Sequence, residues 1–194
     1  MSKLVVSQFV SLDGVMQDPA GNEESGLGPW SFGFDRGDDG DKFKLDELMG
    51  SDSLLLGRVT YEGFAEAWPS RDGDFADKFN GMRKYVVSTT LQSADWNNST
   101  LITENVADKI AQLKQQDGGD ILVNGSRTLI QTLMEHGLVD EYRLMVFTIV
   151  LGQGDRLFSE GSTRSTLRLA DSKPVGSDGV IVLTYVPAPE EKAS

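Results

Sequence analysis

Three short segments combine glycine, hydroxyl side chains and arginine in a pattern that suits a phosphate group. Leu56-Gly57-Arg58-Val59-Thr60 and Val123-Asn124-Gly125-Ser126-Arg127 each leave an apolar block through glycine and reach an arginine, while Val87-Ser88-Thr89-Thr90 ends an apolar block in three hydroxyls. A helix N-terminus offers unpaired N–H groups and a partial positive charge, so anions bind there, and glycine lets the backbone come close. In order, the three junctions suit a dinucleotide: pyrophosphate at Gly125–Arg127 and Arg58, adenosine phosphate near Ser88 and Thr89. Each junction taken alone also reads as an ordinary helix start.

Other nucleotide and metal signatures are absent or incomplete. No G-x-G-x-x-G follows the first apolar block, Gly152-Gln153-Gly154 leads to Leu157 where a third glycine would stand, and there is no Walker lysine motif. Asp35, Asp39 and Gly40 match positions of a calcium loop, but Gly37 and Asp46 stand where stronger ligands belong. An acidic turn leading into a helix over 41–50 is the expectation there, and no metal site is expected. The chain has no cysteine and one histidine, His136, which excludes thiolate chemistry and multi-histidine metal centres. His136 is expected to close a helix, where a cation suits the dipole.

The net charge of −12 over 194 residues opposes nucleic acid or an anionic membrane as partner. Any phosphate site must then be assembled locally from a few cations, hydroxyls and N–H groups. No apolar run is long enough to span a bilayer and the first residues lack a signal-peptide pattern, so a cytoplasmic protein is expected.

The elements that must position these junctions follow from periodicity. Strands are expected at Leu4–Val10, Ser53–Gly57, Lys84–Ser88, Thr100–Thr103, Asp120–Asn124, Glu141–Ile149, Thr166–Ala170 and Val180–Val186. Continuous apolar runs such as Leu54-Leu55-Leu56 suit strands covered on both faces. Helices are expected at 41–50, 59–68, 74–82, 105–116 and 126–136, with Asn105 and Ser126 as N-caps and Gly137 ending the last. The alternation gives an α/β sheet, and the turn-rich Ser172–Gly179 segment closes it with an antiparallel hairpin. One domain over 1–186 is expected, with residues 187–194 an unstructured tail. The glycine-rich stretch 17–40, which carries Trp30, Phe32 and Phe34, reads equally as a pocket wall or as a surface loop pinned by aromatics. The strands Tyr142–Phe147 and Val180–Val186 are expected to pair across a two-fold axis in a homodimer.

Ser11-Leu12-Asp13-Gly14-Val15, the Leu54–Glu62 segment, Lys84–Ser88, Ile121–Ser126, Leu138–Tyr142 and Leu151–Phe158 together carry a resemblance. In that order they resemble the reductase domain of the bifunctional riboflavin-biosynthesis deaminase-reductase, and more closely its stand-alone relatives, the dihydrofolate reductase family proteins. The resemblance spans residues 3 to about 186 and implies a dihydrofolate-reductase-like three-layer α/β fold. It also implies NADPH as hydride donor and a small heterocyclic substrate, pteridine- or pyrimidine-like. Carried over by motif, Gly57, Arg58, Thr60, Asn124, Gly125, Ser126 and Arg127 would hold the cofactor phosphates, and Ser88 and Thr89 the adenosine ribose or its 2′-phosphate. Asp13 and Gly14 would lie beside the nicotinamide. The acidic group that dihydrofolate reductase uses against its pterin has Asp35 and Asp41 as competing positions, so Asp13, Asp35 and Asp41 are the catalytic candidates. Val15 and Met16 stand where the riboflavin enzymes often carry lysine, and the segments expected to face substrate show few basic residues. A cofactor-binding protein of the same fold without turnover, a sensor or scaffold, is the alternative reading.

Overall fold

Alternating strand and helix periods leave each apolar block needing cover on two faces. The computed structural model, which describes residues 1–21, 25–158, 160–162 and 164–189, meets that need with helices on both sides of one sheet. The strands are β1 (Leu4–Ser11), β2 (Ser51–Gly57), β3 (Arg83–Val87), β4 (Ser99–Ile102), β5 (Asp120–Val123), β6 (Glu141–Phe147), β7 (Leu167–Val175) and β8 (Val180–Pro187). The helices are α1 (Gly37–Met49), α2 (Arg58–Ala67), α3 (Asp74–Gly81), α4 (Val106–Lys114) and α5 (Arg127–Glu135). The sheet order is β4-β3-β2-β5-β1-β6-β8-β7. Strands β1 to β6 pair parallel, and β8 runs antiparallel between β6 and β7.

The run Leu54-Leu55-Leu56 shows why β2 is apolar throughout. Leu55 joins Ile110, Ile130 and Leu133 beneath α4 and α5, whereas Leu54 and Leu56 join Leu48, Tyr61 and Phe79 beneath α1, α2 and α3. That is the three-layer, mostly parallel α/β fold with a C-terminal antiparallel hairpin. A third cluster, with Trp30, Phe147 and Val182, fills the space under the hairpin end of the sheet.

Several local expectations are corrected. Helix α1 starts at Gly37, ahead of residue 41, with Asp38 and Asp39 in its first turn, where carboxylates suit the dipole. The calcium-loop pattern therefore lies largely on a helix. Asn105 takes a left-handed conformation and makes no capping bond, and Ser126 precedes α5 without capping it through its side chain. Strand β7 runs on to Val175, because β8 supplies its ladder while most of its side chains stay in solvent, which hides the strand from an alternation test. The pairing assigned to a two-fold axis is made within one chain: β6 lies between β1 and β8, so neither β6 nor β8 is a free edge. The free edges are β4 and β7, and β7 carries Arg168, Asp171, Lys173 and Pro174 with a register shift at Leu169/Asp171, features that discourage edge pairing.

His136 is the C-cap of α5, and Gly137 follows at φ +62° with Leu138 N–H donating to Leu133 C=O at 2.9 Å. Pro187 ends β8 and Ala188 N–H donates to Thr166 C=O, while residues 190–194 of the expected tail lie outside the described residues. No helix among the described residues is long and apolar enough to cross a membrane.

Candidate active site

Strands β3, β2 and β5 are neighbours and parallel, so their three C-terminal junctions open at one edge of the sheet. Helices α2 and α5 begin there side by side. Gly57 N–H donates to Gly125 C=O at 3.1 Å, and a Cβ on either glycine would run into the other junction: Ser126 Oγ for Gly57, Thr60 Oγ1 for Gly125. The two glycines are required by this close approach. Neither Gly57 nor Ser126 caps its helix through a side chain, and a helix start offers N–H groups with no partner inside the helix.

A cavity of about 270 Å³ opens beside them, lined on one wall by Asn124–Thr128 and Thr60 and on the other by Met16–Ala20. Of the residues expected to hold a cofactor, Thr60, Asn124, Gly125, Ser126 and Arg127 therefore meet in one place. Asn124 Oδ1 is buried there with no hydrogen-bond partner among the described residues, an acceptor that an N–H group entering the cavity would satisfy. These residues fit a nicotinamide dinucleotide: two helix starts and Arg127, which pairs with Asp155 at 3.3 Å, for phosphate, and the Asn124 acceptor for an amide donor. The remaining members stand around this centre. Gly57 supports it from behind. Arg58 is half exposed and paired with Glu62 at 2.8 Å. Ser88 is buried, its Oγ accepting the N–H groups of Thr90 and Leu91, and Thr89 is exposed next to it. Gly14 takes φ +82° in the turn after β1, with open space where a Cβ would stand.

The three acidic candidates are placed apart. Asp13 ties the turn after β1 to the chain after β6: it accepts Ser11 Oγ–H at 2.7 Å, the N–H groups of Leu151 and Gly152 at 3.1 and 2.9 Å, and pairs with Arg156. The Ser11 hydroxyl first, and then those N–H groups, hold its carboxyl well below the usual carboxylate range. Asp35 is exposed and accepts from Ser177 Oγ and Gly37 N, which likewise lowers it. Asp41 pairs with Arg36 at 2.6 Å with its side chain 64% exposed. Asp41 lines a second cavity.

That cavity, about 720 Å³, lies between α1 and the α2–α3 region and adjoins the first through Ala20 and Phe64, which line both. Its apolar walls come from Phe9, Phe32, Phe64, Trp68 and Phe75, and four cations, Arg36, Lys42, Lys44 and Arg71, also line it. This cavity is richer in basic residues than the motif segments are. These cations come from α1 and from the segment after α2, outside the motifs that carried the resemblance. The 17–40 stretch serves both of its readings: Met16–Ala20 and Phe32 form cavity wall, while Trp30 is buried, edge-on to Phe147 at 5.6 Å, with Nε1–H donating to Gln17 C=O. Sequence reasoning missed Gln8, Asp18 and Lys44. Gln8 and Asp18 line the first cavity and Lys44 the second. Only the polar residues inside the apolar β1 run, Ser7 and Gln8, gave any hint.

The sheet order, the helix pair at its centre and the two adjoining cavities define a dihydrofolate-reductase-like α/β protein. The chain belongs to the RibD C-terminal domain family, whose model matches residues 2–181. It is 30% identical over 186 residues to the uncharacterized protein YwjB of Bacillus subtilis (strain 168), covering 96% of this chain and 98% of that one. Its fold is similar to a Shewanella sp. PV-4 protein described as a candidate riboflavin biosynthesis protein, at TM-score 0.78 and 22% identity over 97% of this chain and 100% of the other. It is also similar to Enterococcus faecalis dihydrofolate reductase, solved in complex with NADP(H) and RAB-propyl, at TM-score 0.62 and 14% identity over 96% and 97% of the two chains.

Proposed function

We propose that the protein is an NADPH-dependent reductase of the riboflavin-pathway and dihydrofolate-reductase type, acting on a small heterocyclic molecule. One observation carries this reading: two uncapped helix starts, locked together by Gly57 and Gly125, border a cavity that shares Phe64 and Ala20 with a larger aromatic one. The first suits a dinucleotide and the second a planar acceptor next to it. The bound nicotinamide would supply the hydride. The chain's own work is to hold the two rings in contact and keep water out, which accounts for much of the rate advantage available to such a transfer. Arg127 and the first-turn N–H groups of α2 and α5 hold phosphate, with Arg58 at the exposed rim and Thr89 on the adenosine side. Asn124 Oδ1 accepts an N–H donor. Asp13, held anionic and engaged by four donors, fixes the wall and moves no proton.

The test is a fluorescence titration with NADPH. Arg58→Ala should weaken binding by about 1–3 kcal/mol, the worth of a charge-assisted contact. Unchanged affinity in that variant removes Arg58 from the site, and no binding to the native protein removes the cofactor reading. The nearby relatives in family and fold support a reductase over the sensor or scaffold alternative, and turnover of NADPH with any heterocycle decides between them.

A homodimer also belongs to this proposal, on a surface other than the β6 and β8 edges. In register across β6, β8 and β7, Tyr142, Tyr185 and Leu169 form one row, with Phe158 packed on Tyr142 at 5.9 Å. Leu169 and Phe158 are 48% and 44% exposed, an apolar strip that a second copy would cover. Light scattering of the eluted protein should give twice the chain mass, falling toward one chain in Leu169→Glu.

A further inference from the structure

The larger cavity is cationic in a chain whose net charge is −12. Two of its cations are neutralised toward solvent: Arg36 by Asp41 and Lys42 by Asp46, the carboxylates 64% and 62% exposed. Lys44 differs. Its side chain is 15% exposed, and its Nζ donates to Ser7 Oγ at 2.6 Å and to Glu47 Oε2 at 2.5 Å. Glu47 is itself 1% exposed and is braced by Ser7 Oγ–H at 2.8 Å and by Arg143 at 3.8 Å. A buried carboxylate and a buried hydroxyl thus fix one ammonium at the cavity wall, 5.5 Å from the centre of the Phe9 ring. An ammonium has three donors, and two have partners among the described residues. The third is left for whatever fills the cavity. At the mouth, the Arg71 guanidinium stacks 4.5 Å from the Trp68 ring and makes no ion pair among the described residues.

We infer that Lys44 is the specificity-determining residue of this cavity, and that it selects a planar ring carrying an anionic oxygen. The inference rests on reading the cavity as the substrate site and deepens that reading. Phe9, Phe64 and Trp68 provide flat apolar surface for the ring, and the Lys44 ammonium takes the oxygen in a charge-assisted hydrogen bond inside a largely apolar wall. Within α1, Asp41 points its charge at Arg36 and solvent while Lys44, one turn on, holds the inner position. Glu47 and Ser7 act as positioning residues. They hold Nζ in place before any ligand arrives, which lowers the entropy lost on binding. Arg71 accepts a second anionic group at the mouth.

The probes are pterin-6-carboxylate and pterin, which share a ring and differ by the carboxylate, titrated by their own fluorescence anisotropy into the native protein without cofactor. The acid should bind about tenfold or more tighter than pterin. Lys44→Arg should keep that preference. The double variant Lys44→Met with Glu47→Gln, which leaves no buried charge unpaired, should bring the two dissociation constants within about threefold while circular dichroism stays native. Equal affinities in the native protein, no saturable binding of the acid, or a preference that survives the double variant would overturn the assignment. NADPH is titrated into the same samples. If the acid binds and NADPH does not, the cofactor reading fails and Lys44 stands. If NADPH binds and the acid does not, Lys44 fails and the cofactor reading stands.

Discussion

The junction between α2 and α5 makes a quantitative demand on Gly57. Its backbone, at φ −78° and ψ 164°, is one that alanine adopts freely, so Gly57→Ala brings no conformational strain. By itself the change should stabilise by about 0.4–1 kcal/mol through the unfolded chain. The added methyl, however, falls on Ser126 Oγ, 2.9 Å from Ser126 Cβ and 3.1 Å from Ser126 N. Two helix starts held by a backbone hydrogen bond cannot part without losing it, so overpacking of about 1–3 kcal/mol should win. Ser126→Gly removes the oxygen and the methylene that collide. Since Ser126 makes no capping bond, that change alone should cost only a few tenths of a kcal/mol. In the double variant most of the penalty should disappear, leaving the milder 3.1 Å contact with the backbone nitrogen. Urea unfolding of the four proteins gives the coupling, expected at about 1 kcal/mol or more in favour of the pair. Effects that add within about 0.5 kcal/mol would refute the packing argument, as would a Gly57→Ala protein as stable as the native one.

Three further outcomes follow from other places in the fold. Lys84 is fully buried in β3, its ammonium bonded to the carbonyls of Asn80, Met82 and Asn97, each at 2.9 Å, and 4.1 Å from the Trp96 ring. Burial pushes its pKa down to about 8 from 10.5, so between those values the unfolded chain holds a proton that the folded one releases. Stability should therefore rise with pH across that window by up to about 3 kcal/mol relative to Lys84→Met, and denaturant midpoints of both proteins at pH 7.5 and 10.5 check it. Asp13, lowered by its donors, stabilises the fold above its unfolded pKa of about 4 and loses that contribution as pH falls below it. Asp13→Asn should flatten the acid limb of the stability profile, and an unchanged limb in thermal melts from pH 2 to 5 would contradict the role given to it. Gly63 lies inside α2 on the smaller cavity with open space where a methyl would stand, so Gly63→Ala should stabilise by about 0.5–1 kcal/mol and, under the proposed function, weaken NADPH binding. A melting curve and a titration on one sample measure both.

Strand and helix positions were legible because burial on two faces leaves a continuous apolar signature, as in Leu54–Leu56, and because the α5 stripe Leu129, Ile130 and Leu133 repeats at helical spacing. The start of α1 was not, since Gly37 and Gly40 are poor helix formers and tertiary packing overrides them; the Arg36 side chain and Val175 lie against Gly40. The far half of β7 was hidden by its exposure. The cofactor-side junctions were readable because their chemistry is local: glycine, hydroxyl and arginine within a few residues. The cavity cations were not, because Lys44 acquires its character from Ser7 and Glu47, and Arg71 from Trp68. A lysine on a helix looks like solvent-facing charge until the strand beneath it is known. The same holds for Asp13, whose partners Leu151 and Gly152 lie far along the chain.

Phe64 has a consequence of its own. It forms part of the wall of both cavities and packs edge-on to Trp68 at 6.5 Å and to Phe79 at 5.3 Å. One ring shared by two cavities is a thermodynamic link: whatever its rotamer favours on one side it favours or penalises on the other. By reciprocity, any factor that a molecule in one cavity adds to the affinity for a molecule in the other equals the factor it gains in return. The two cavities therefore cannot be reshaped separately at Phe64, whereas the α1 wall of the larger one lies outside that link.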